Sequence, residues 1–106
     1  MSSLKDKVVF ITGGTSGIGK ATAERCLQDG AKVFAMGRSQ KRIVAFKTQF
    51  KDKPAVAFQG CVTDEASVVS AFKSCVQSYN TVDVLINNAG IGIPTPDLAE
   101  TDVETY

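Results

Sequence analysis

Between residues 8 and 20 an apolar run breaks into a glycine cluster and then into helix-compatible sequence, and no other stretch constrains the chain as much. Val8-Val9-Phe10-Ile11 is continuous and apolar, the pattern of a strand covered on both faces. Thr12-Gly13-Gly14-Thr15-Ser16-Gly17-Ile18-Gly19 follows directly. Glycines at a strand-to-helix turn let the backbone bend tightly and approach a ligand closely. The helix N-terminus behind them offers unpaired N–H groups and a positive dipole end to an anion. Thr15 and Ser16 add hydroxyl donors. The plain alternative is a flexible turn that holds nothing.

The same alternation of periods continues along the chain. Helix-compatible sequence runs from about Gly17 to Asp29, with Ile18, Ala21, Ala23, Cys26 and Leu27 apolar, and Gly30 stands where a helix end favours positive φ. Lys32 to Met36 reads as a second strand. Ser39 can cap a second helix with Ile43, Phe46 and Phe50 at helical spacing, broken by Lys51-Asp52-Lys53-Pro54. Ala55 to Phe58 reads as a third strand. Thr63 or Asp64 can cap a third helix, in which Val68, Phe72, Cys75, Val76 and Tyr79 share a face. Val82 to Ile86 reads as a fourth strand, stopped by Asn87-Asn88-Ala89-Gly90. Ile91 to Asp97 reads as a loop and Leu98 to Tyr106 as the start of a fourth helix. Strands joined through helices are parallel with right-handed crossovers, so β-α-β-α-β-α-β-α predicts an α/β, Rossmann-type doubly wound parallel sheet in a single domain spanning residues 1–106.

Two phosphate-binding motifs compete for the glycine turn. Gly14-x-x-x-x-Gly19-Lys20 matches most of a mononucleotide P-loop, but the next residue is Ala21, which has no hydroxyl for magnesium. The fourth strand ends in Asn87-Asn88 and the third runs into Gly60-Cys61, so neither supplies the acidic residue that a P-loop enzyme places at a strand end. A dinucleotide fits better. In doubly wound folds an acidic residue about 20 positions beyond the glycines accepts from the ribose hydroxyls of NAD, whereas an arginine there accommodates the 2′-phosphate of NADP. The second strand ends in Met36-Gly37-Arg38-Ser39, with no acid, which points to NADP(H) rather than NAD(H). The competing view leaves Arg38 as a solvated loop residue.

Bulk properties exclude several other classes. The chain has 106 residues, 43% hydrophobic and 22% charged, which are globular values, and neither disorder nor a membrane span fits them. A net charge of +1 with interspersed signs gives no electrostatic footprint for nucleic acid or an anionic bilayer. The chain has no histidine, which removes Ser-His and Cys-His nucleophile systems and argues against a zinc site. Cys26, Cys61 and Cys75 are widely spaced and read as reduced, buried thiols. No signal peptide precedes the first strand, so a cytoplasmic protein is expected.

In these residues the chain resembles the short-chain dehydrogenase/reductase family. That family's T-G-x-x-x-G-[IA]-G motif is matched by Thr12 through Gly19, and its N-N-A-G motif by Asn87-Asn88-Ala89-Gly90. The resemblance spans Lys5 to Tyr106, the first half of a typical member. It implies that Gly13, Thr15, Ser16, Gly17, Ile18 and Gly19 line the pyrophosphate, and that Arg38 with Ser39 meets the ribose phosphate. Asn88, Ala89 and Gly90 would pass under the adenosine-side ribose and help fix the first strand. Asn87-Asn88 also reads more simply as a strand stop whose amides satisfy turn backbone. Many members place an aspartate after the third strand to accept from the adenine amino group. Here Cys61 stands there, a poor acceptor, and Asp64 reads as a helix cap, so adenine is expected to be held through backbone near Val62.

The resemblance further implies a homo-oligomeric NAD(P)-dependent oxidoreductase that reduces small carbonyl compounds or oxidises alcohols by hydride transfer. Its members use a tyrosine as general acid-base with a lysine four residues on. No such pair occurs: Tyr79 is followed four places on by Asp83, and Tyr106 is the last residue. Ser70-x-x-Lys73 lies on the third helix, away from the strand ends where ligands bind. No catalytic residue is therefore expected within these residues. The chain is expected to be the cofactor-holding part of a protein of about 250 residues and to bind without reacting on its own. The alternative is a non-catalytic nucleotide-binding or dimerisation module that ends at Tyr106. A sheet ending at the fourth strand would leave residues 84–86 on an open edge.

Overall fold

The computed structural model describes residues 4–88 and the backbone of residues 102–103. Its elements are β1 (Val8–Thr12), α1 (Gly17–Gln28), β2 (Lys32–Gly37), α2 (Gln40–Gln49), β3 (Ala55–Gln59), α3 (Glu65–Tyr79), β4 (Val84–Asn87) and β5 (Asp102–Val103). All pair in parallel in the order β3-β2-β1-β4-β5. The chain winds outward from β1 through β2 to β3, then crosses back through α3 to place β4 on the other side of β1. That reversal opens a crevice at the carboxyl ends of the central strands, the place where doubly wound sheets take ligands.

Residue alternation on the central strands builds both cores. Val8 and Phe10 of β1 and Phe34 and Met36 of β2 face α3, packing with Val68, Ala71, Phe72 and Cys75. Their neighbours Val9, Ile11, Val33 and Ala35 face the opposite layer, against Ala23 and Cys26 of α1 and Ile43 and Phe46 of α2. A period of two on strands buried on both faces thus yields a helix–sheet–helix sandwich, as the apolar runs predict. The Phe10 ring lies 5.2 Å from Phe34 and 4.5 Å from Phe72, centroid to centroid, so it links β1, β2 and α3. Truncating so buried a phenylalanine removes about 3–5 kcal/mol.

Several details depart from the sequence expectations. On α1 the buried face is set by Ala23 and Cys26; Ile18 is 77% exposed and Ala21 is also exposed, because both fall on the opposite side of the helix. On α3, Ala71 belongs to the core while Val76, at the edge of the apolar stripe, is 45% exposed. Cys26 and Cys75 are buried free thiols, but Cys61 is only partly buried, because it lies beyond the end of β3.

β4 begins at Val84 rather than Val82. Asp83 N–H donates to Val8 O (2.9 Å), and its Oδ2 accepts from Val8 N (2.8 Å), so a side chain takes the place of the ladder at this end. The helix expected from Leu98 is overturned at residues 102–103, which form β5 in register with Leu85 and Ile86 of β4. Unpaired N–H and C=O groups on the β4 edge favour a strand there, and β5 covers the edge expected to be open. The Ile91 to Asp97 loop lies outside the described residues. No helix among the described residues is long and apolar enough to cross a membrane.

Candidate functional site

The glycine turn is held against the end of β2. Gly13 N (2.8 Å) and Gly14 N (3.2 Å) both donate to Met36 O, and Gly13 adopts φ +65°, a conformation that side chains disfavour. Gly19 meets a second demand. A Cβ on it would land on the Gly13 carbonyl and stand 2.8 Å from Asn88 Nδ2, so α1 leaves the turn in backbone contact with it. Asn88, half-buried, closes that contact from the end of β4.

Among the described residues the three helix starts are treated differently. Ser39 caps α2, its Oγ accepting from Arg42 N at 3.3 Å, and Asp64 caps α3, its Oδ1 accepting from Ala66 N at 3.2 Å. Ser16 makes no side-chain cap on α1, whose first turn also contains no acidic residue. The first amides of α1 therefore keep their donors, and the positive end of the helix dipole, directed toward whatever occupies the turn.

Above this turn lies a cleft of about 630 Å³, lined by Gly13, Thr15 and Ser16 on one side and by Arg38, Ser39 and Arg42 on the other. A narrower hollow of about 190 Å³ shares Gly13, Gly37 and Arg38 with it and extends to Gly60, Cys61 and Val62 at the end of β3. Among the described residues no carboxylate lines either space. Asp64 is turned to its own helix, its Oδ2 accepting from Ser67 Oγ at 3.1 Å, as expected of a cap. Cys61 Sγ lies 2.9 Å from Thr63 Oγ1. Hydrogen bonding to Thr63, with the Arg38 charge nearby, holds this thiol below its ordinary range.

The structure thus brings Gly13, Thr15, Ser16, Arg38, Ser39, Cys61 and Val62 to one continuous set of surfaces. Gly17 lines an adjoining hollow, and Ile18 projects from the first turn of α1 into the open. Ala89 and Gly90 lie outside the described residues. Asn87 is 2% exposed and its Oδ1 accepts from the buried Thr12 hydroxyl at 2.9 Å, locking the ends of β1 and β4 together. Arg42 is the residue that sequence reasoning missed. Its signal was available: a Ser39 cap puts residue 42 in the first turn of α2, one helical turn beyond Arg38. Among the described residues no cluster of His, Cys, Asp and Glu could hold a metal ion.

The sequence matches the short chain dehydrogenase family over residues 7–106. It is 35% identical over 103 residues to a serine 3-dehydrogenase of Agrobacterium fabrum, covering 92% of this chain and 40% of that one. An NADP-dependent 3-hydroxy acid dehydrogenase of Escherichia coli is 30% identical over 99 residues, with 93% of this chain and 40% of that protein covered. Among solved structures, a 3-ketoacyl-(acyl-carrier-protein) reductase from Brucella melitensis complexed with NADH superimposes with a TM-score of 0.78 at 37% identity, over 85% of this chain and 37% of that one. The chain spans about 40% of the length of the curated relatives it matches.

Proposed function

Because this chain belongs to the short chain dehydrogenase family, we propose that it is the cofactor-holding domain of an oxidoreductase that prefers NADP(H) and acts on a small carbonyl or alcohol compound. The dinucleotide supplies hydride chemistry when bound; the residues described here bind and orient it. The glycine turn and the first amides of α1 receive the pyrophosphate, a role that the missing side-chain cap and the close Gly19–Gly13 approach both suit. The hollow beside Cys61 and Val62 takes the adenine, with no carboxylate among the described residues lining it to accept from its amino group. Asn88 supports the turn from the end of β4, and family likeness assigns it, with Ala89 and Gly90, to the adenosine-side ribose.

The preference for a 2′-phosphate is carried by one observation: Arg38 lines the cleft at the end of β2, where none of the described lining residues is acidic. A relative named as NADP-dependent and a neighbour complexed with NADH support the cofactor class; Arg38 supports the choice within it. Replacing Arg38→Asp turns an attraction for the phosphate into a repulsion. NADPH affinity is expected to fall at least about fiftyfold while NADH changes by less than about threefold. Titration of both dinucleotides reads the result, and unchanged NADPH affinity would show that Arg38 faces solvent only.

A further inference from the structure

We propose that Arg42 is a second phosphate-binding arginine, which acts with Arg38 to grip the ribose phosphate and so helps to set cofactor choice. The inference rests on the reading of the cleft as a dinucleotide site. Arg38 comes from the end of β2 and Arg42 from the first turn of α2, yet both line the same cleft. The Ser39 hydroxyl, accepting from Arg42 N at 3.3 Å, fixes the backbone that carries Arg42 relative to the one that carries Arg38.

Among the described residues neither guanidinium is paired with a carboxylate, and Arg38 lies against the Cys61 thiol. The first turn of α2 holds no acidic residue, and the ion pair found among the described residues, Arg25 with Asp29, lies at the far end of α1. Arg42 also borders a smaller hollow of about 230 Å³ together with Ser16 and Lys20, so it stands between the α2 cap and the first turn of α1. Among the described residues, the side chains of the opposing wall offer hydroxyls, from Thr15 and Ser16, and no charge. Discrimination between a ribose hydroxyl and a phosphate dianion therefore falls to the arginine side. One exposed cation contributes little against a mobile anion, whereas two converging guanidinium forks can share its oxygens.

The test uses the full-length protein and two small probes, adenosine 2′,5′-bisphosphate and adenosine 5′-monophosphate, titrated calorimetrically. Arg42→Ala is expected to weaken the bisphosphate about tenfold and the monophosphate by less than about twofold, with Arg42→Lys restoring part of the loss. The salt dependence of bisphosphate binding becomes shallower in Arg42→Ala. Equal weakening of both probes would mark Arg42 as structural and overturn the proposal. So would an unchanged bisphosphate affinity in Arg42→Ala alongside a loss in Arg38→Ala, an outcome that leaves the NADP reading standing. A wild-type protein that does not prefer the bisphosphate would overturn that reading and this inference with it.

Discussion

Gly19 shows how narrow the tolerance of the turn is. Its missing side chain is the space occupied by the Gly13 carbonyl and the Asn88 amide, both held by other elements. Gly19→Ala is expected to lower stability by about 2–4 kcal/mol, since backbone rather than a flexible side chain must move. Thermal melting checks this, and an unchanged melting temperature would mean the turn yields more easily than its geometry implies. The cysteines differ in a way that can also be read. Cys75, buried in the α3 core, has its thiol pushed up to about 12 by burial and stays protonated, while Cys61, partly buried and hydrogen-bonded to Thr63, is held low. The thiolate is the reactive form, so a lowered value keeps reaction fast to lower pH. Alkylation of the folded protein is expected to modify Cys61 first, with a midpoint below that of an ordinary thiol at about 8.5, and to spare Cys75 until unfolding. Modification of Cys75 at the same rate would contradict the packing described.

At the scale of elements, Asp83 pins the start of β4 to β1 through both its backbone N–H and its carboxylate. Asp83→Ala leaves Val8 N without its acceptor at the start of the central strand and is expected to cost about 1–3 kcal/mol; Asp83→Asn, which keeps an acceptor oxygen, costs less. Chemical denaturation of both variants distinguishes them, and equal stability would show that water replaces the carboxylate freely. Asp83 also shows what sequence leaves unread. Apolar runs such as Val8–Ile11 and Lys32–Met36 announced their strands because covering both faces demands continuous hydrophobicity, and Ser39 and Asp64 announced their helices because the cap chemistry is local. By contrast, Asp83 acts across 75 positions of sequence, and no local pattern carries that. The same reason hid Arg42, which joins the site only once α2 is docked beside the end of β2. Residues 102–103 carry no strand signal of their own because a short polar segment has little periodicity, and the decisive influence is the edge of β4.

For the whole molecule, the crossover from β3 to β4 does the organising. By carrying α3 to the far face it packs one layer against Phe10 and Phe34 and leaves the other to α1 and α2. The ends of β1 and β2 then meet in one basic cleft, next to the hollow at the end of β3, and the described residues bordering the cleft include two arginines and no carboxylate. A ligand that bridges these elements binds the folded state alone and must stabilise it, by about 2.7 kcal/mol at a hundredfold excess over its dissociation constant. The most direct measurement is therefore thermal unfolding of the protein with NADPH, with NADH and with neither. NADPH is expected to raise the melting temperature by about 5 °C or more, and NADH by less at equal concentration. No shift with either dinucleotide would contradict the account of the cleft itself, and a larger shift with NADH would contradict the role given to Arg38.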